Sequence, residues 1–323
     1  MKYTLYVGGY GAHSIVRMAF EEGTLTEQER TEALNASYLC LSADRKRLYA
    51  VSETLSNPDG DGGRVSVYEI GQDGGLTLFS SQPSNGRDPC HLALIGGQLI
   101  VSNYNSGSFT RFPILPDGGI GEAIETVSHA YMAPERTAHV HQALPIPDGR
   151  FAVTDLGLDR VCFYGGTGQP DCARVPNGFG PRHMCFPNGS DTWYVLCELK
   201  GQLLAYRGFG SAAALRARYP IGGTEHAAAA LRLSPDGRTL LATGRGQHLL
   251  ALYSVGEDGL LGHLQDIDTM GVWPRDAAFS PDGKYILCAN ERSSTVTVFA
   301  FDGRRAEYVA GVNTRCPTCI MFA

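Results

Sequence analysis

Four short strings in the chain carry side chains able to bind and activate a small polar molecule. His139-Val140-His141 sets two imidazoles two residues apart, so on a strand both project to one face, where one can act as general base and the other orient it. Gly180-Pro181-Arg182-His183 places a guanidinium just after a proline-restrained backbone, suited to hold a carboxylate or phosphate through paired hydrogen bonds. Glu198 and Arg245 close two apolar runs, TWYVLC and TLLATG. Arg182 and Arg245 together would form an anion clamp; the competing use of each is a structural ion pair with Glu198, Glu291 or Asp276. His91, His183, Arg275 and Asp276 are further polar candidates at strand starts, and Asn103, Tyr104 and Asn105 offer amide and phenol groups suited to sugar hydroxyls or a carbonyl oxygen. Asp155 and Asp159, which bracket DLGLD, read first as turn and cap residues. The sequence holds no GxSxG, HExxH or GxxxxGK[ST] string, so serine hydrolase, zinc protease and nucleotide hydrolase readings have no support.

These residues need elements to position them, and residues 139 to 166 show which kind. HVHQALPI, RFAVTDLG and RVCFY read as three antiparallel strands, joined by turns at Pro147-Asp148-Gly149 and Leu158-Asp159. The pattern of apolar strand, polar turn, apolar strand and polar end residue recurs six times, at intervals of 42 to 52 residues. That is the period of a propeller blade. Alignment of the copies sets Glu53, Tyr104, Leu156, Glu198, Arg245 and Glu291 at one equivalent position. KYTLYVGGY at the start reads as a second strand with Tyr10 in the same slot, and CPTCIMFA at the end as a first strand with nothing after it. The two ends are therefore expected to complete one blade, leaving no open edge. The expectation is all-β: a seven-bladed β-propeller of four-stranded antiparallel blades in a single domain, residues 1–323. The insertions Thr54 to Gly63 and Gly118 to Thr137 read as surface loops between repeats. Such a fold gathers two rings of polar residues at one mouth of its channel. One ring holds His91, His139, His141, Arg182, His183, Arg275 and Asp276; the other holds Tyr10, Glu53, Tyr104, Glu198, Arg245 and Glu291.

Composition narrows the class. Forty glycines in 323 residues favour many short strands and turns, and 43% hydrophobic content supplies ample core. A formal charge of −6 offers no basic stripe for a phosphate backbone, so no nucleic acid partner is expected. No apolar run approaches the ~20 residues that span a bilayer, and the N-terminus has strand character without a long apolar core. A cytoplasmic, monomeric protein is the expectation. The nine cysteines, among them Cys40, Cys162, Cys185 and Cys288 in apolar strand patterns, read as buried reduced thiols, and Cys316-Pro317-Thr318-Cys319 is the one CxxC.

The Trp-Asp and Gly-His signatures of WD repeats are absent. The strings YVGGY, DPCHLAL, SNYNSGS, DLGLDRV, GPRH, SPDGR and WPRDAAFSPDGKYILCAN, in this order, resemble the seven-bladed lactonase family, which groups propeller-type 6-phosphogluconolactonases with fungal carboxy-muconate lactonizing enzymes. The likeness covers nearly the whole chain. It implies cofactor-free chemistry, with no metal, on a small anionic lactone or sugar acid. By resemblance to the muconate enzymes, the catalytic set is His141 (or His139), Arg182, Glu198 and Arg245. His91, Asn103, Tyr104, His139, His183, Arg275 and Asp276 are the substrate-binding candidates. Two departures from the family pattern stand out: the shortened stretch Pro134-Glu135-Arg136-Thr137-Ala138-His139, and Thr243-Gly244 in place of the usual Ser-Asn. The activity implied is lactone hydrolysis, with His141 or Glu198 activating water. A muconate-type cycloisomerase, and a ligand-binding propeller without catalysis, are the alternatives.

Overall fold

The computed structural model of the chain describes every residue except 58, 59, 167, 188 and 223–226. Its regular structure is strand throughout, apart from single 3-10 turns at Ala130–Met132, Glu198–Lys200 and Gly210–Ala212 among the described residues. The strands form seven four-stranded sheets and one small ribbon, Ser56–Asn57 with Gly60–Asp61.

Two compact units divide the chain. The first comprises Met1–Ala143 and Thr318–Ala323. It carries the sheet Thr24–Glu32, Ser14–Glu21, Lys2–Gly9, Pro317–Phe322, in that spatial order. The last strand of the chain thus joins the first three, as the sequence predicts. Thr318 Oγ1 donates to Ser37 O at 2.9 Å, and Ala323 N to Thr4 O at 2.9 Å. Two further sheets run from Leu39 to Pro83 and from Pro89 to Ser128. The second unit, Leu144–Pro317, contains the sheets spanning Pro181–Pro220, Ala228–Asp268 and Pro274–Asn313, and most of the sheet that starts with Val140–Pro145.

The burial of each strand follows its sequence. The second strands Thr192–Cys197 and Thr239–Gly244 are buried at every position, because a sheet lies against each face. Fourth strands such as Ala214–Pro220 alternate instead, with one face in solvent. Between sheets, Val161 and Phe163 pack with Met184, Trp193 and Tyr206, and further along Tyr194 and Leu196 pack with Leu231, Leu240 and Tyr253. Tyr6, Tyr49 and Tyr194 each donate a phenolic hydrogen to a turn carbonyl of the next sheet, at Gly74, Gly118 and Gly259. The turns also repeat. In Ser234-Pro235-Asp236-Gly237 the Ser hydroxyl and the Asp carboxylate bind each other and the two amides that follow, and Ser42 and Ser280 head the same arrangement.

Two expectations need correction. Gly118 to Thr137 is not wholly loop: Glu125–Ser128 is the fourth strand of its sheet, a short polar segment with no apolar alternation to reveal it. Cys162 is not a reduced thiol; it is bonded to Cys172, directly opposite on the neighbouring strand. Register explains the pair, and register between strands is not visible in the order of residues. Cys40, Cys185, Cys288, Cys316 and Cys319 form no disulfide. Burial pushes the Cys40 thiol up to about 11 and that of Cys185 up to about 12, which leaves both inert near neutrality. The insertion at Thr54 to Gly63 carries the small ribbon, and its Pro58 and Asp59 lie outside the described residues.

Candidate active site

All seven positions aligned by the repeat fall directly after a second strand, and the strand before them is paired on both sides. What the repeat does not disclose is how the arginines at the strand starts are aimed. Pro181 pairs with Cys197 and His183 with Leu196, so Arg182 is the extra residue of a β-bulge. The same shift surrounds Arg275, between Pro274 and Asp276, and Cys90, between Pro89 and His91. A bulge re-aims the side chain it carries. The loop before it is fixed by Asp159, whose carboxylate accepts from Gly178 N and Gly180 N at 2.8 Å each, while Asp155 Oδ1 accepts from Leu158 N at 3.0 Å. Both aspartates are the turn and cap residues expected. Gly180 sits at φ 68°, and its carbonyl accepts from Glu198 N at 2.8 Å, which draws the two strand ends together.

Arg182, Glu198 and Arg245 converge. Arg182 Nε lies 3.0 Å from Glu198 Oε2, and Arg245 Nη2 lies 2.9 Å from Oε1, so one carboxylate bridges two guanidinium groups. Arg182 and Arg245 are almost wholly buried, at 4% and 5% exposure, while the Glu198 side chain keeps 22%. Carbonyl oxygens at the start of the strand Ala228–Leu233 hold one further nitrogen of each: Arg182 Nη1 donates to Ala229 O at 2.7 Å, and Arg245 Nε to Ala227 O at 3.0 Å. Thr243, one of the two residues that depart from the family pattern, accepts from Ala230 N at 2.8 Å and so braces this same stretch. Burial raises the pKa of Glu198, but the charges of Arg245 and Arg182, the hydrogen bond from Arg245 and the charge of Arg275 together outweigh it. The carboxyl is held below its ordinary range and stays ionised.

Around this core, Arg275 Nη1 lies 3.4 Å from Glu291 Oε2, and Arg232 Nη2 lies 2.7 Å from the buried Asp276 Oδ1. Asp276 is thus a partner for Arg232. Arg182 Nη1 is 3.2 Å from His183 Nε2; a guanidinium only donates, so that nitrogen accepts and the ring carries its proton on Nδ1. Trp273 and Arg292 complete the surroundings, with the Arg245 Cζ 5.3 Å and the Arg292 Cζ 3.4 Å from the indole centroid. Neither was singled out from sequence. The signal available was the WPRD string itself, where a bulky residue takes the place that Gly180 holds in GPRH.

The histidine candidates form a cluster in the first unit. His139 stacks on Tyr104 with centroids 4.4 Å apart, and His141 meets the edge of the same ring at 5.9 Å. His139 Nδ1 is 3.2 Å from Tyr104 O; a carbonyl accepts, so Nδ1 donates and Nε2 is the basic nitrogen of the neutral ring. Gly107 makes this approach possible, because a Cβ there would lie 2.5 Å from that of Ala138. His91 packs on Tyr38 and meets Gln142 Nε2 at 3.3 Å. Tyr10 donates to Glu53 at 2.5 Å, and Ser37 also binds that carboxylate. Asn103 is fully buried, and its amide donates to Ser84 O and Thr110 Oγ1 at 3.3 and 3.2 Å. Asn290 repeats these bonds to Thr269 O and Thr297 Oγ1. Two sheets using one device mark Asn103 as a brace for its turn, and Asn105 is likewise bound to Asp88.

Seven four-stranded antiparallel sheets, with the chain ends sharing one of them, define a seven-bladed β-propeller whose polar residues gather at the ends of second strands. The family model described as "Lactonase, 7-bladed beta-propeller" matches residues 4–322, and the chain belongs to that family. It is 27% identical over 348 residues to the 6-phosphogluconolactonase of Bacillus subtilis, covering 99% of this chain and 98% of the relative. A 6-phosphogluconolactonase of Formosa agariphila is 28% identical, over 83% of this chain and 82% of that protein. Among solved structures, the periplasmic gluconolactonase PpgL of Pseudomonas aeruginosa superposes with a TM-score of 0.91 at 27% identity, over 100% of this chain and 99% of that one.

Proposed function

We propose that the protein is a cofactor-independent lactone hydrolase that opens 6-phosphogluconolactone, a small anionic sugar lactone, to 6-phosphogluconate. The observation that carries this reading is the pair of buried guanidinium groups bridged by one ionised carboxylate. Arg182, Arg245, Arg275 and Arg292 stand with Glu198 and Glu291, the Arg232–Asp276 pair beside them being neutral, so the cluster carries excess positive charge for an anionic substrate. Arg182 and Arg245 bind the anion and offset the charge that develops on the ring carbonyl oxygen when water attacks. Glu198 orients both of them. Held below the ordinary carboxylate range, it is a weak base near neutrality, so water activation falls to an imidazole, with His141 the first candidate by family resemblance. A lactone is already an activated ester and needs no serine nucleophile. His91, His139, His183 and Tyr104 are proposed as substrate contacts or as orienting groups for the imidazole. The working unit is proposed to be a monomer.

Acid release from 6-phosphogluconolactone, measured against spontaneous opening, tests the reading. A rate well above background is expected; a folded protein that adds nothing to the spontaneous rate rejects this substrate. A cytoplasmic location is proposed as well. The Cys162–Cys172 bond supplies the counter-test, because such bonds persist in oxidising compartments and one similar solved structure is of a periplasmic gluconolactonase. Seven titratable thiols in denatured native-source protein would agree with the Cys162–Cys172 bond and contradict the cytoplasm, and nine would do the reverse.

A further inference from the structure

Trp273 occupies a backbone position that its side chain should avoid. In three sheets the residue before the proline that opens the first strand has a left-handed φ: 50° at Asp88, 68° at Gly180 and 67° at Trp273. Glycine adopts this freely and aspartate tolerates it, but a bulky residue there is strained, the more so before proline. Burial does not explain the choice, because Trp273 is only half-buried. Its backbone is pinned all the same: Glu291 N donates to Trp273 O at 3.0 Å, and Arg292 N to the preceding carbonyl, Val272 O, at 3.1 Å. Strain that the surroundings enforce is commonest where a side chain has a task. Here the indole faces the guanidinium of Arg245, which belongs to the clamp, and that of the exposed Arg292.

We propose that Trp273 is a positioning residue that sets Arg245 in the clamp and recruits Arg292 as an added cation, so that the site selects a doubly charged phosphate group over an uncharged lactone. The inference rests on the clamp being the substrate site, and deepens that reading by naming the residues that tell the phosphorylated lactone from the unphosphorylated one. Arg182, Arg245, Arg275 and Arg292 exceed Glu198 and Glu291 by two charges, the charge of a phosphate monoester dianion. Cation–π attraction to the indole holds Arg292 toward this group instead of leaving it to range through solvent.

The test compares wild type, Trp273→Gly and Trp273→Phe by calorimetric titration with inorganic phosphate, by kcat and KM on 6-phosphogluconolactone and unphosphorylated gluconolactone, and by thermal unfolding. Trp273→Gly should unfold at the same or a higher temperature, since glycine relieves the left-handed strain. It should also bind phosphate roughly tenfold more weakly and raise KM for the phosphorylated lactone by a similar factor, with a smaller loss on the unphosphorylated lactone, which shares Arg245 but has no phosphate for Arg292 to meet. Trp273→Phe, which keeps an aromatic face, should fall between. Unchanged phosphate affinity in Trp273→Gly, or equal losses on both lactones in step with lost stability, overturns the proposal. Phosphate binding that depends on Trp273 in a wild-type protein that opens neither lactone would sustain the inference and reject the hydrolase reading.

Discussion

Glu198 decides how the site is read. A carboxylate bridging two buried guanidinium groups serves either as a base or as the hinge of an anion clamp, and its lowered pKa favours the second role. The sign follows directly. Because the folded value lies below the unfolded one, near 4.3 for glutamate, the stability it contributes is complete above about pH 5 and is lost as the pH falls through the lowered folded value. Nothing in Glu198 therefore titrates between pH 5 and 8. Glu198→Gln should lower kcat/KM by roughly a hundredfold, as misplacement of the two arginines that meet the transition state does, yet leave the acid limb of the pH–rate profile where an imidazole sets it. Disappearance of that limb in Glu198→Gln would make Glu198 the base instead. The residue types of the clamp were legible in the sequence, because a polar residue at the end of a wholly apolar strand has few structural reasons to be there. Trp273 and the carbonyls of Ala227 and Ala229 were not, since their part depends on backbone conformation.

At the scale of the element, the chain is a repeat of one strand-turn-strand device with local variations. The first two strands of six sheets, and the third strand of the one that holds RVCFY, could be placed from alternation and turn residues, whereas Glu125–Ser128 and the bulges at Arg182 and Arg275 could not. A bulge is one residue too many in a pairing, and pairing is not written along a single strand. The turns offer a quantitative check. Arg45, at φ 57°, occupies the slot that Gly237 and Gly283 fill at 72° and 70° in the equivalent turns. A left-handed conformation costs an ordinary residue about 1 to 2 kcal/mol, and glycine costs about 0.5 to 1 kcal/mol in unfolded-chain entropy, so the balance favours glycine. Arg45→Gly should stabilise the protein by up to about 1 kcal/mol in urea unfolding; a clear loss would show that the Arg45 side chain holds the turn.

For the molecule as a whole, the two chain ends matter most. The sheet built from residues 2–32 and 317–322 follows from a sequence that opens on a second strand and closes on a first, and it pairs the two terminal strands with each other. That logic was readable because an incomplete repeat at each end demands its complement. Treating residues 1–323 as one domain is a proposal supported by that sheet. The Cys162–Cys172 pair, by contrast, depends on strand register and was misread. The central claim is that Arg182 and Arg245 act as one anion clamp in lactone opening, and a double-mutant cycle on kcat/KM for 6-phosphogluconolactone reaches it most directly. Arg182→Ala and Arg245→Ala should each lose about a hundredfold, and the double variant far less than the product of the two, since both side chains serve one carboxylate and one substrate anion. Full activity in either folded single variant, or losses that simply multiply, would contradict the account.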